Sequence, residues 1–123
     1  MKLFFYNMFL FRSQFFKSFI ICFFLLISGS IFIHAQDIYT SVGSGNWTTK
    51  KNWDQNSTPT DDDIVIISDG TIINMTQDRT CAELIVESGG QLEREGRTLT
   101  VSGDIRVDGL IGGNGNIFLQ GTG

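Results

Sequence analysis

The sequence predicts an all-β protein: the start of a parallel β-solenoid, entered through a cap segment carrying two tryptophans and preceded by a signal peptide. Three observations carry this reading. Beyond residue 36, short runs of Ile, Val, Leu and Thr alternate with clusters of Gly, Asn, Asp and Ser, and helix signals are nearly absent. The runs and their turns repeat together, which is the mark of stacked units. The first 35 residues are of a wholly different character.

That leader comes first. Lys2, Arg12 and Lys17 are its only charged residues, and they precede an apolar stretch, Phe19 to Ile27, that continues past Ser28, Gly29 and Ser30 to Ile33. A basic start, an apolar core and small residues at the end make a secretory signal peptide over residues 1–35. The apolar stretch falls short of the roughly 20 residues that a spanning helix needs. Cleavage is expected after Ala35, with Ile33 and Ala35 read by the peptidase, or one residue later, after Gln36. An uncleaved amino-terminal anchor is the competing reading. Cys22 does not make a lipoprotein site, because Ile21 stands where a small residue is needed.

Removing the leader sharpens the composition. The remaining 88 residues hold 13 Asp and Glu against six Lys and Arg, a formal charge of −7. Such a chain is a poor partner for nucleic acid, whose phosphates require clustered cations. The membrane is met only through the leader before cleavage, and the expected location is secreted or cell-surface. The single histidine, His34, also leaves with the leader. Without it there is no Ser–His or Cys–His catalysis and no imidazole zinc ligand. Cys81 is the one remaining cysteine, so no internal disulfide forms, and a buried apolar role at the start of a strand is expected. The reading assigns no catalytic residue, no cofactor and no metal.

Residues 36–63 form the expected cap. This stretch is polar, and Trp47 and Trp53 are its large apolar groups from Ser41 onward. The tryptophans either close the end of the stacked core, the favoured reading because a solenoid end must be covered, or stack on sugar rings as a carbohydrate contact. Asp61, Asp62 and Asp63 end the segment. Successive residues of a strand point to opposite sides, so three in a row do not converge on calcium, and a solvated loop is expected.

Residues 64–123 carry the repeats. Ile64–Ile67 is followed by a turn at Asp69-Gly70, then Thr71–Met75, a polar turn through Thr80, and Leu84–Glu87. Thr98–Val101, Asp104–Val107 and Asn116–Leu119 complete the predicted strands. Placing Ile64–Ile72 over Leu84–Leu92, an offset of 20, aligns Ser68 with Ser88 and Gly70 with Gly90. Leu99–Gly103 repeats that strand and turn 15 residues on, Ile117–Gly121 a further 18 on, and Ile105 takes the place of Ile72 and Leu92. An antiparallel β-sandwich or meander is the alternative architecture.

Smaller motifs carry less. Gly112–Asn116 matches half of a calcium-binding nonapeptide, but Ile117 stands where Asp is required. Gly43-Ser-Gly45 lacks the third glycine and the βαβ setting of a dinucleotide loop. Glu93 and Glu95 would share one face of a strand, in the manner of paired carboxylates of glycoside hydrolysis, yet no aromatic cleft accompanies them. Asn46, Asn56 and Asn74 open glycosylation sequons, which have meaning only in a eukaryotic host.

Gly45-Asn46-Trp47, then Trp53, Pro59, Asp63, Val65-Ile66 and Gly70, followed by strand–glycine repeats, resembles the amino-terminal region of large secreted β-solenoid proteins of Bacteroidetes-type bacteria. It is also similar to the extracellular domain family named for its eight glycines. The resemblance covers about residues 38–121. It implies a right-handed β-helix in an extracellular or surface protein, adhesive or carbohydrate-associated, and carries over no catalytic residue. Such proteins run for hundreds of residues, whereas this sequence stops inside a repeat at Gly121-Thr-Gly123.

The expected function is therefore a non-catalytic structural or adhesive β-solenoid module, with glycans or surface polymers as partners and further coils of a longer protein beyond it. Two alternatives stand beside it. One is the leading end of a β-helical polysaccharide lyase or hydrolase whose catalytic coils lie past residue 123. The other is a small carbohydrate-binding module using Trp47 and Trp53. Ile117, Phe118 and Leu119 leave an apolar final edge that invites pairing with another chain.

Overall fold

The computed structural model describes residues 35–121. The signal-peptide reading of the leader lies outside them. Ala35 and Gln36, the expected cleavage residues, are exposed and belong to no strand.

The strands are β1 (Ile38–Thr40), β2 (Gly45–Asn46), β3 (Ile64–Ile67), β4 (Ile72–Asn74), β5 (Arg79–Cys81), β6 (Glu83–Val86), β7 (Gln91–Glu93), β8 (Leu99–Val101), β9 (Ile105–Val107), β10 (Leu110–Gly112) and β11 (Ile117–Leu119). One 3-10 turn, Lys50–Asn52, lies between β2 and β3. The protein is all-β, and its sheets are parallel. They run β1-β3-β6-β9, β2-β4-β7-β10 and β5-β8-β11. From β3 onward the chain visits the three sheets in rotation, one strand in each. Every pairing within these sheets is parallel. The antiparallel sandwich is thereby overturned, since its strands would pair with reversed direction.

Strand length and burial explain one another. β3 and β6 alternate half-buried and buried residues along their four positions. Alternation sends Val65, Ile67, Leu84 and Val86 inward, and all four are fully buried. Pairing then stacks the inward side chains in columns: Tyr39, Val65, Leu84 and Ile105 in the first sheet, and Ile73, Leu92 and Ile111 in the second. Arg79, Leu99 and Ile117 stack in the third, beside Cys81, Val101 and Leu119. The buried members of these columns, with Ile67, Val86, Met75 and the two tryptophans, form one core cluster, against which Ile105 and Ile111 pack.

The repeat differs from the one expected. Ile64 pairs with Glu83 and Val65 with Leu84, an offset of 19 rather than 20. Gly70 accordingly matches Gly89: its N–H donates to the Gly89 carbonyl at 3.1 Å, and both have positive φ, 75° and 86°. Gly90 has a separate role. A Cβ there would lie 2.5 Å from the Ile67 carbonyl oxygen, so the corner closes only around glycine. Leu99–Val101 belongs to the third sheet, not to the sheet of β3 and β6, and Ile105 continues that first sheet instead of the Ile72 and Leu92 positions. The stretch read as a polar turn through Thr80 contains β5. The placement of Ile117 over Leu99, 18 residues apart, agrees with the expected spacing.

Candidate functional site

The two ends of the stacked sheets differ, and the difference lies in what becomes of their edge groups. In a parallel ladder alternate residues bond to the neighbouring strand, and those between them present N–H and C=O outward. On β1, Tyr39 and its even-spaced neighbours Asp37 and Ser41 bond towards β3. Ile38 and Thr40 therefore face outward, at the first edge of the sheet.

Three of those four outward N–H and C=O groups are occupied. Thr40 N–H donates to Asp54 Oδ1 at 3.0 Å, and its carbonyl accepts from Asp54 N–H at 3.0 Å. The Ile38 carbonyl accepts from Gln55 Nε2 at 2.6 Å. On β2 the Asn46 carbonyl accepts from Thr49 N–H at 3.0 Å and from Asn52 Nδ2 at 3.2 Å. The segment Asn52–Gln55 thus lies along the edges of both strands. Asn52 itself is buried, and an isolated antiparallel bridge joins Ser41 to Trp53.

Aromatic packing holds this segment in place. Trp47 and Trp53 are each 1% exposed. Their rings meet edge-to-face at 5.3 Å, and Trp53 meets Tyr39 edge-to-face at 6.4 Å. Trp53 Nε1 donates to the Trp47 carbonyl at 2.8 Å, whereas Trp47 Nε1 is buried with no partner among the described residues. At this burial neither tryptophan offers a ring face to a sugar. The carbohydrate-contact role considered for Trp47 and Trp53 is corrected accordingly: both are core residues.

The acidic triplet divides. Asp61 and Asp62 are exposed, and Asp63 is buried. Its carboxylate accepts from Asp37 N–H at 3.2 Å, Thr60 N–H at 2.7 Å and Thr60 Oγ1 at 2.8 Å, tying the entry of β1 to the entry of β3. Among the described residues no three His, Cys, Asp or Glu side chains converge as metal ligands. A Thr-x-x-Asp spacing was the available signal for this lock.

Glu93 and Glu95 do not share a strand face. Glu93 ends β7 and accepts from the Gln91 amide, whereas Glu95 sits in the following turn with φ 47°. Arg94 between them was missed by sequence reasoning. Its guanidinium donates to the carbonyls of Gly113 at 2.9 Å, Gly115 at 2.7 Å and, through Nε, Gly112 at 3.3 Å. The glycine motif read as half of a calcium repeat therefore already turns three carbonyls towards a cation, and the cation is an arginine.

Cys81 ends β5 and is fully buried. Burial, with the charge of Asp61 adding to it, pushes its thiol from 9.0 up to about 12. A thiol held so firmly protonated is a weak nucleophile. Of the sequon residues, Asn46 and Asn56 are exposed and Asn74 is half-buried in β4.

The opposite end is built from β9, β10 and β11, which are the last strands of all three sheets. Here the core columns emerge. Val86 and Val101 are fully buried, but the residues stacked on them, Val107 and Leu119, are 43% and 60% exposed. The ladders bond Asp104, Asp108, Leu110, Gly112, Asn116 and Gln120 inward. Alternation therefore turns the backbones of Ile105, Val107, Ile111, Ile117 and Leu119 outward. Their outward N–H and C=O groups have no partner among the described residues. Comparison of the chain with family models, with curated proteins and with solved structures yields no match.

Proposed function

We propose that this chain is the leading module of a secreted or cell-surface, right-handed parallel β-solenoid, and that its role is structural or adhesive rather than catalytic. The observation that supports this best is the inequality of the two ends. At one, Asn52–Gln55 occupies most of the outward edge groups of β1 and the Asn46 carbonyl of β2, the first strands of two of the three sheets. At the other, three strand edges and the core columns beneath them are open. A module of this kind closes a stack on one side and offers a template for further coils on the other. Parallel crossovers are right-handed almost without exception, which supports the handedness. The resemblance of Gly45–Trp47, Trp53 and the following strand–glycine repeats to Bacteroidetes-type surface proteins supports the location, as does the leader. Glycans and surface polymers are the expected partners of the assembled surface, and the buried tryptophans are not the groups that meet them.

Export is the test. The full 123-residue chain, tagged at its carboxyl end and expressed in a bacterial host, should leave the cytoplasm and begin at Gln36 or Asp37 on amino-terminal sequencing. A full-length product retained in the inner membrane would count against the proposal.

A further inference from the structure

Removal of the leader creates a new terminus, and the residue that stands there has chemistry of its own. We infer that the mature chain begins with pyroglutamate: once the leader is cut behind Ala35, Gln36 cyclises onto its own α-amine. The inference rests on the export reading above and assigns a covalent modification to the terminus that export produces.

The reaction needs no second molecule. The α-amine nitrogen of Gln36 attacks the side-chain carbon Cδ, and a new C–N bond closes a five-membered lactam. The bond from Cδ to Nε2 breaks, and that nitrogen leaves as ammonia with the proton the α-amine gives up. Nucleophile and electrophile belong to one residue, so no encounter is required. An α-amine also loses its proton nearer neutrality than a lysine amine does, which favours it as the nucleophile.

The structure leaves both groups free to meet. Gln36 is exposed, belongs to no strand and is separated from β1 by Asp37 alone. Among the described residues no hydrogen bond holds Gln36, whereas the side-chain amides of Gln55 and Gln91 donate to the Ile38 carbonyl and to Glu93. The next residue is fixed. Asp37 N–H donates to Asp63 Oδ1 at 3.2 Å, and its carbonyl accepts from Ile64 N–H at 2.9 Å. The ring closes upstream of both bonds and keeps the amide that carries the Asp37 N–H.

The modification bears on the plugged end, where β1 lies and Tyr39 enters the core. An aminopeptidase needs a free α-amine. Stepwise loss of Gln36 and Asp37 would strip Asp63 Oδ1 and Ile64 N–H of their partners at the entry of β1. A lactam has no free amine, and that route is closed.

The test uses the exported chain, kept for several days at neutral pH, with its amines labelled before digestion so that no ring can form afterwards. Tandem mass spectrometry then reads the amino-terminal peptide. It should begin at Gln36, carry no label on its terminus and be lighter by about 17 Da, the mass of ammonia. Gln36→Asn has too short a side chain to close a ring of this size. Its terminus should carry the label, and an aminopeptidase should shorten it while leaving the natural chain whole. A labelled Gln36, or a chain that begins at Asp37, would overturn the inference and leave the export reading standing. A natural chain trimmed as readily as the variant would overturn it as well. A chain that keeps its leader would overturn both.

Discussion

Trp47 and Trp53 carry the same side chain, at the same burial, with ring centroids 5.3 Å apart, yet shortening each to phenylalanine should cost very different amounts of stability. Both replacements lose a similar volume from the same cluster, so the packing loss is nearly common to the two. The indole nitrogens differ. Trp53 Nε1 donates to the Trp47 carbonyl at 2.8 Å, and Trp53→Phe orphans a buried acceptor, which costs about 1–3 kcal/mol. Trp47 Nε1 is buried without a partner, so Trp47→Phe removes an unsatisfied donor and relieves a penalty of the same order. Trp47→Phe should therefore be the more stable of the two by about 2 kcal/mol or more. For a chain of this size that separates the melting midpoints by roughly 10 °C. The assay is thermal and urea unfolding of the two variants at one fixed protein concentration, because association shifts apparent stability. Each variant keeps a single tryptophan, whose fluorescence reports the transition. Equal midpoints, or a less stable Trp47→Phe, would refute the assignment of the hydrogen bond to Trp53 alone.

Two further outcomes follow from single side chains. Cys81 stays protonated to about pH 12 in the folded chain, whereas an unfolded thiol ionises near 9.0. Stability from this group is full below pH 9 and falls as pH rises towards 12, by up to about 1.4 kcal/mol per unit. Urea midpoints at pH 8 and 10.5 should drop less for Cys81→Ala than for the natural chain, and parallel drops would show that the thiol is not desolvated. Arg94→Lys replaces a planar fork by a point donor that cannot reach three carbonyls together. Amide exchange across Gly112–Asn116 should quicken several-fold while the melting midpoint stays within a few degrees. Unchanged exchange would mean that the guanidinium does not hold the loop.

The sequence made the strand class legible because β-branched runs and glycine corners recur, but it concealed the phase. Ile64, Val65, Ile66 and Ile67 are apolar without a break, so apolar matches alone fit an offset of 19 or 20. The serine and glycine identities favoured the wrong one. A one-residue slip exchanges the faces of a strand, and the structure settles the matter by burying Val65 and Ile67 fully. Strands of three residues such as β5 and β7 have too few positions for alternation to register. Arg79 and Thr80, flanking polar residues in the sequence, pair in the third sheet all the same. At the plugged end the tryptophans were visible as outliers in a polar stretch. The roles of Asn52, Asp54 and Gln55 were not, because they depend on backbone groups of β1 and β2 that only the fold brings near.

The spacing of the pairings has a consequence for how the chain reaches its fold. Each strand pairs with one that lies between 18 and 28 residues away, from Leu99 with Ile117 at the short limit to Gly45 with Ile73 at the long one. Loop closure therefore demands nearly the same modest entropy at every step, however many strands are added. As the chain emerges during synthesis with its amino end first, the tryptophan cluster, β1 and β2 arrive before anything that must stack on them. Each later strand except β5, which opens the third sheet, then meets an edge already in position, and the order of emergence becomes the order of assembly.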